Sequence, residues 1–417
     1  MILALAYLAI FLGAGLSLRL IRSGRVDTAR RTVTFGDAGA VRPDRIASAL
    51  SVLTIFLIWG AFTGSKLVPV HVPGPFIGET AFSYTVTAPD GASDTATVRV
   101  NVLAPADKTP QKPLLPAPRN GLAQDDAASV AAWRFALVRP TANDAPGVRL
   151  TAIDGQPLAV GVAQRVAHGQ VTLTPKGSLS FEPDKGWQME PIWLPAPESV
   201  VARFVQIAQE GYQNKPLWEH LGFSLFRVLA GFFFGALIGI PLGYAMGLSS
   251  WVRGWFDPIV EFMRPVPPLA LIPLIIIWWG IWETGKIVLL FLAALWIMVI
   301  AARSGVAGVR LSKVHAAYSL GASKLQVLTH VIIPNSLPDL FIGARVAMGV
   351  CWGTVVAAEL VAAEKGAGMM ILVASKFQLT DIVVMGILLI GFIGYGIDVA
   401  LRAAERRFVP WRGKTGG

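Results

Sequence analysis

One cysteine, Cys351, stands in 417 residues and lies inside an apolar run, so neither an intrachain disulfide nor a cysteine-built metal cluster is available. Histidine is also scarce. The five residues, at 71, 168, 220, 315 and 330, have no metal-ligand spacing, and no catalytic set appears among them. Charge is thin as well: 15% of residues are Asp, Glu, Lys or Arg, against 54% hydrophobic, a balance that argues against an ordinary soluble domain and for a multi-span membrane protein. The formal net charge of +10 does not point to nucleic acid, because the positive residues flank the apolar runs instead of collecting on a soluble domain. That is the positive-inside pattern.

Residues 1–18 (MILALAYLAIFLGAGLSL) are apolar, with no basic segment before them, and are followed by Arg19, Arg22, Arg25, Arg30, Arg31, Arg42 and Arg45. This order predicts an uncleaved helix over 1–22 with its amino terminus outside, and a cytoplasmic arginine-rich loop over 23–45. A second span over 46–67 returns the chain to the outer side; about 20 apolar residues match a hydrocarbon core of about 30 Å.

From 70 to 190 the period changes to two. Alternation in TAFSYTVT, DTATVRVNV, GVRLTAI, GQVTLT and SLSFE, with turns at Pro89-Asp90-Gly91 and Pro175-Lys176-Gly177, predicts an all-β sandwich on the periplasmic side. A proline-rich stretch, 104–119, divides it like an extended linker. Pro140-Thr141-Ala142-Asn143-Asp144 and the segment Ser178–Trp187 resemble the opening and middle of a bacterial cadherin-like, immunoglobulin-like repeat. The closing segments of such a repeat, resembled by Gly78–Tyr84 and Asp94–Val102, come first here. The resemblance implies a circularly permuted repeat, with strands 80–87 and 178–182 in one compact domain. Aspartates 90, 94, 144, 154 and 184 are read as solvated turn residues in preference to calcium ligands, and no metal is expected.

After Pro195, an apolar stripe at helical spacing (Val200, Val201, Phe204, Ile207, Ala208) predicts a helix lying on the outer membrane face or packed on the sandwich. The span at 221–248 carries Gly231, Gly235, Gly239, Gly243 and Gly247 on one face, a close-packing seam for a neighbouring helix. Further spans are expected at 266–282, 287–302, 340–362 and 381–401. Gly280 to Lys286 matches the spacing of a phosphate loop, but Ile287 stands where a Ser or Thr would hold Mg²⁺ and no strand precedes it, so the match is rejected. Glu359 lies inside a span, where an acid faces protein or water; a structural ion pair is favoured over a role in the pathway of an anion. Trp352 and Thr354 are weaker pathway candidates, with ordinary packing as the simpler reading.

A polar island at 315–338, HAAYSLGASKLQVLTHVIIPNSLP, interrupts these runs within a loop bounded by 303 and 340. It predicts a helix, a break at Gly321, a second short helix and a stop at Pro334. The spacing His315-Ala316-Ala317, Gly321, then Val331-Ile332-Ile333-Pro334 resembles the cytoplasmic loop of ABC-importer permeases, with His315 where that family carries Glu. RPVPPLALIPLIIIWWGIWETGKI (264–287), GVCWGTVVAAELVAAEKGAGMM (349–370) and the tail RRFVPWRGK resemble the taurine, aliphatic-sulfonate, nitrate and bicarbonate permeases of that type. The likeness covers 195–414 and the span at 46–67.

The resemblance implies a multi-span α-helical protein of the bacterial inner membrane: a six-helix type I importer permease core, here with one extra amino-terminal span and an inserted β-domain. Its carboxy terminus is expected inside. It implies a non-catalytic subunit working as two copies with two cytoplasmic ATPases, which hold the ATP and Mg²⁺, and with a periplasmic solute-binding protein. No cofactor is expected on this chain. Ala316, Ala317, Gly321, Ala322, Ser323, Lys324 and Pro334 fall in the region that couples to the ATPase. The implied substrate is taurine or a related sulfonate, with nitrate or another small organic anion as the alternative. A membrane-anchored receptor or adhesion protein would use the β-domain but leaves the island and the glycine seam unexplained.

Overall fold

The computed structural model describes residues 45–104, 113–115 and 120–411, with eight positions between 5 and 17. The extra amino-terminal span, the arginine-rich loop, most of the proline-rich linker and residues 412–414 lie outside the described residues. The chain divides into two compact units, Met1–Ser199 and Val200–Gly417.

In the first unit an apolar helix, α1 (Arg45–Thr63), precedes a two-sheet sandwich. Strands β1 (Gly78–Thr87) and β2 (Ser93–Leu103) form a hairpin. Its turn is closed by Asp90, which accepts the Ala92 N–H at 3.0 Å, and by Gly91 at φ +86°. Strand β3 (Asp126–Ala131) then runs parallel to β2, and β4 (Ala136–Val138) crosses to the second sheet. β5 (Arg149–Ile153) and β6 (Gln156–Pro157) complete the first sheet, in the order β3-β2-β1-β5-β6. β7 (Ala163–Val166), β8 (Gly169–Leu173) and β9 (Leu179–Pro183) complete the second, in the order β4-β9-β8-β7.

The inward residues at period two make one core. Phe82, Tyr84 and Val86 of β1 and Val98, Val100 and Val102 of β2 pack with Leu179 and Phe181 of β9, and the Phe82 and Phe181 rings stack at 5.8 Å. Strands 80–87 and 178–182 thus share one domain. β3 and β4 were not legible as strands; DAASVA and ALV are short and built largely of small residues, so their alternation is weak. The segments entering and leaving the sandwich run side by side: Phe76 N–H donates to Asp184 O at 2.9 Å, Trp187 N–H to Pro73 O at 2.7 Å, and Met189 N–H to Phe62 O at 2.8 Å. Entry and exit are therefore adjacent in space. The five aspartates take separate structural parts: Asp90 and Asp94 accept backbone N–H groups at turns, Asp144 accepts from Gln124, Asp154 accepts from Ser83, and Asp184 pairs with Arg165.

Helix α2 (Pro197–Glu210) follows, burying Val200 and Ile207 while leaving Val201 and Val205 exposed, so the helical stripe is narrower than its sequence suggests. The second unit contains α3 (Leu217–Leu248), α4 (Ser250–Met263), α5 (Ile272–Trp279), α6 (Glu283–Ala307), α7 (Leu311–Ser319), α8 (Lys324–Val327), α9 (Ile333–Ala362), α10 (Ala367–Lys376) and α11 (Thr380–Phe408). Arg203 of α2 donates to Asp381 in the first turn of α11 at 2.7 Å.

The glycine seam of α3 faces α6. A Cβ built at Gly231, Gly235, Gly239, Gly243 or Gly247 would fall no more than 2.8 Å from Leu290, Ala294, Leu295, Val299 or Val306 respectively. The absence of side chains there lets the two backbones approach, and in a bilayer such close packing replaces the hydrophobic drive available in water.

Two sequence expectations are corrected. No single continuous helix covers 266–282: α5 has only eight residues, and α4 with the segment Pro268–Trp279 makes a pair bent by 93°. Pro265, Pro267, Pro268 and Pro273 cannot continue a helical ladder, and Gly280, at φ +73°, ends α5 before α6 begins. Among the described residues five helices are long and apolar enough to cross a membrane, six if the bent pair counts as one span. Pro334 does not stop its helix either. A π-helical turn, Leu328–Ile332, joins α8 to α9, and Pro334 sits in the first turn of α9. A wider turn upstream lets the ring enter without breaking the run, which continues from Lys324 to Leu360.

Candidate functional site

Two features lie at opposite ends of α6: a hinge next to its carboxyl end and a buried ion cluster at its amino end. The hinge is a helix, a four-residue turn and a helix. Gly321, at φ +83°, follows α7 in the left-handed conformation; its N–H donates to Tyr318 O at 2.9 Å, and the Ala322 N–H donates to Ala317 O at 3.0 Å. That pair of bonds closes a Schellman turn and satisfies the last carbonyls of α7. Ser323 then opens α8 with a capping box: its hydroxyl accepts the Gln326 N–H at 3.4 Å, and the Gln326 side chain accepts the Ser323 N–H at 2.8 Å. Both helix ends are thus satisfied locally, which keeps the four-residue turn rigid.

Around this turn apolar side chains stand in the open. Leu320 is 88% exposed, and Leu311, Tyr318 and Leu325 are exposed too. Ala316, Ser323 and Lys324 are exposed, Ala317, Ala322 and Pro334 half-buried. His315 is exposed on α7. A built Cβ at Gly321 meets nothing within 4 Å, so the glycine is required there by backbone conformation, not by space within this chain.

At the other end, Arg227 of α3 has no exposed surface. Its guanidinium grips Glu283 bidentately, Nε to Oε2 at 2.5 Å and Nη2 to Oε1 at 2.6 Å, while Nη1 donates to Glu359 Oε1 at 2.6 Å and to Lys365 O at 2.8 Å. Glu359 also accepts from Ser224 Oγ at 2.7 Å and from the Gly368 N–H at 2.8 Å. Lys286 adds a second cation on Glu283 at 3.1 Å. Every oxygen of the two carboxylates is engaged, the condition under which the buried charges of Arg227 and Glu359 are tolerated; Glu283 is half-exposed.

This cluster holds the start of α10. The Gly366 N–H donates to His220 Nδ1 at 3.2 Å, Ala367 N–H to Ser224 Oγ at 2.9 Å, and Gly368 N–H to Glu359. With Nδ1 accepting, the His220 proton is on Nε2, 3.1 Å from Tyr212 O. Three N–H groups at the head of α10 are therefore satisfied by side chains of α3 and α9, and the Glu359 carboxylate lies at the positive end of that helix. Gly366, at φ +142°, has no room for a Cβ beside the Glu359 carboxylate.

Glu359 is thus in a structural pair, with a partner, Arg227, that the sequence reading did not single out. The signal was present as an arginine inside the apolar run FSLFRVLAGFF. Trp352 is buried and donates its indole N–H to Ile390 O of α11 at 2.9 Å, and Thr354 is buried as well, so packing accounts for both in this chain.

A family described as binding-protein-dependent transport system inner membrane component matches residues 235–410, a segment that contains the hinge, α6, α9 and α10. The taurine transport system permease protein TauC of Escherichia coli (strain K12) is 46% identical over 228 residues, 54% of this chain and 83% of that protein. The chain belongs to this family. Within this inner-membrane component family it is also similar to the putative aliphatic sulfonates transport permease protein SsuC of Escherichia coli (strain K12), 38% identical over 54% of this chain and 84% of that protein. The bicarbonate transport system permease protein CmpB of Synechococcus elongatus (strain ATCC 33912 / PCC 7942 / FACHB-805) is 31% identical over 48% of this chain and 69% of that protein. The chain is accordingly a multi-pass membrane component of a transport system. The family match begins at residue 235 and leaves the sandwich outside it.

Proposed function

We propose that this chain is the permease subunit of an ATP-driven importer for taurine or a related sulfonate, and that it couples to cytoplasmic ATPases through the α7–α8 turn. The observation that carries the substrate class is the 46% identity with a taurine permease, against 31% with a bicarbonate one. Two copies of the chain, two ATPases holding ATP and Mg²⁺, and a periplasmic binding protein make the working assembly. The chain itself performs no chemistry.

The hinge has the form of a lever. Leu320, Leu325 and Tyr318 offer an apolar contact around a rigid turn, and the run from Lys324 to Leu360 continues from it with no stop. At 1.5 Å per residue, the 36 residues from Lys324 to Glu359 extend about 50 Å. Motion imposed at the turn is thereby delivered to Glu359, and through its bond to Gly368, to the head of α10. Gly321→Trp tests the lever. A left-handed backbone costs a non-glycine residue about 1–2 kcal/mol, and the added side chain projects into the partner. Membrane insertion and ATP hydrolysis should persist while uptake is lost; unchanged uptake would defeat the coupling role. Recovery of an ATPase with the tagged full chain favours the importer, whereas a stable complex without one, together with a ligand on the sandwich, favours a receptor. The solute held by the cognate binding protein separates taurine from nitrate and other small anions.

The sandwich is read as a permuted cadherin-like, immunoglobulin-like domain inserted in the outer loop after α1. Its adjacent entry and exit suit an insertion. Its role in this reading is to extend the surface on which the binding protein docks.

A further inference from the structure

Beside the Arg227 cluster a cavity of about 250 Å³ opens between the first turn of α6, α3 and the bend at 364–365. Phe223, Ile281 and Trp282 line it together with four charged residues, Glu283, Lys286, Glu364 and Lys365. Lys286 is only 8% exposed, and its ammonium has one partner among the described residues, Glu283 Oε1 at 3.1 Å. An ammonium carries three donors, and a buried donor left without an acceptor is costly. Glu283 has little left to offer, since both its oxygens already receive Arg227. An anionic oxygen in the cavity would complete Lys286.

The other charges differ. Lys365 is taken by Glu219 at 2.5 Å and lies 4.6 Å over the Phe223 ring, so it is committed to the wall. Glu364 is exposed on the bend, and its carboxylate has no partner among the described residues. The cavity therefore presents a buried cation shared with Glu283, an exposed carboxylate, Glu364, and aromatic and aliphatic surface. Its complement is a short zwitterion: an anionic head, a hydrocarbon spacer and an ammonium.

We propose that this cavity is a substrate-selecting site for a zwitterionic aminosulfonate, with Lys286 on the sulfonate oxygens, Glu364 on the ammonium, and Phe223 and Trp282 against the methylenes. The proposal rests on the importer reading and adds to it where, and by which end, the substrate is distinguished. The test uses the full chain assembled with its ATPases and binding protein in proteoliposomes, comparing uptake of taurine with that of ethanesulfonate, which lacks the amine. Glu364→Gln is expected to lower the taurine-to-ethanesulfonate ratio of kcat/KM about threefold, the size of an exposed ion pair. Lys286→Met is expected to lower uptake of both by at least about tenfold, the size of a charge-assisted hydrogen bond, and Lys286→Arg to recover most of it. An unchanged ratio in Glu364→Gln overturns the site. That variant decides the matter even if Lys286→Met fails to insert, because Glu364 is exposed. Parent vesicles that accumulate neither sulfonate overturn the importer reading and the site with it; normal parent uptake with an unaltered ratio overturns the site alone.

Discussion

Arg227 is the residue on which the end of the bundle depends, because four bonds from one guanidinium join α3, α6, α9 and the 365 bend. Glu359→Ala leaves part of that buried charge unanswered and strips an acceptor from the head of α10, at a cost of about 3 kcal/mol; Glu359→Gln, which keeps an acceptor, should lose less. Thermal unfolding of the purified chain in detergent measures the difference, and equal losses would refute the charge argument. In the sandwich, burial and the neighbouring Asp144 push the Asp126 carboxyl up to about 6 from its ordinary 3.8. The folded form thus holds a proton the unfolded chain has shed, so this group's stabilisation is complete below about pH 4 and is lost as pH rises through 6. Asp126→Asn should remove that slope and raise stability at pH 7 by about 1 kcal/mol, a value discounted because the group is half-exposed. Unfolding of parent and variant at pH 4 and pH 7 checks both parts.

Among the elements, α3 and α6 form the seam that positions everything else in the second unit. Gly239→Leu would put a Cβ 2.8 Å from the Leu295 carbonyl oxygen, which belongs to backbone and cannot turn away. The helices must part, at a cost of about 3 kcal/mol or more, seen as loss of folded protein on size-exclusion in detergent. Gly222→Ala, on the same helix but facing open space, should be neutral or slightly stabilising and serves as the control. The run from α8 to α9 teaches a related point. A proline marks a helix end only where the ladder has no slack, and one π turn supplies that slack ahead of Pro334.

For the whole molecule, the two units have separate cores: the sandwich core is built from residues 76 to 181, and the main helical core from residues 225 to 401. Because Met189 is bonded to Phe62 and Trp187 to Pro73, a short Gly/Ser linker replacing residues 66–192 can rejoin the chain without stretching it. The shortened protein should insert and retain ATPase binding, while the apparent affinity of the assembled importer for its loaded binding protein falls about tenfold. Uptake kinetics equal to the parent's would remove the sandwich from that docking role.

The sequence by itself determined the two periods, the spacing of the glycine seam and the break at Gly321, since these follow from local backbone chemistry and from which face must be apolar. It also determined the family, through a run of residues that no fold-level consideration requires. Tertiary structure alone decided the rest. The partner of Glu359 lies 132 positions away in the chain, and pairing at that distance leaves no periodic trace. Whether 266–282 forms one straight helix depended on how the prolines at 265, 267, 268 and 273 and the left-handed Gly280 act together. The cavity beside Lys286 is walled by α3, the start of α6 and the 364–365 bend, segments far apart in the chain, and so is invisible until the helices are packed.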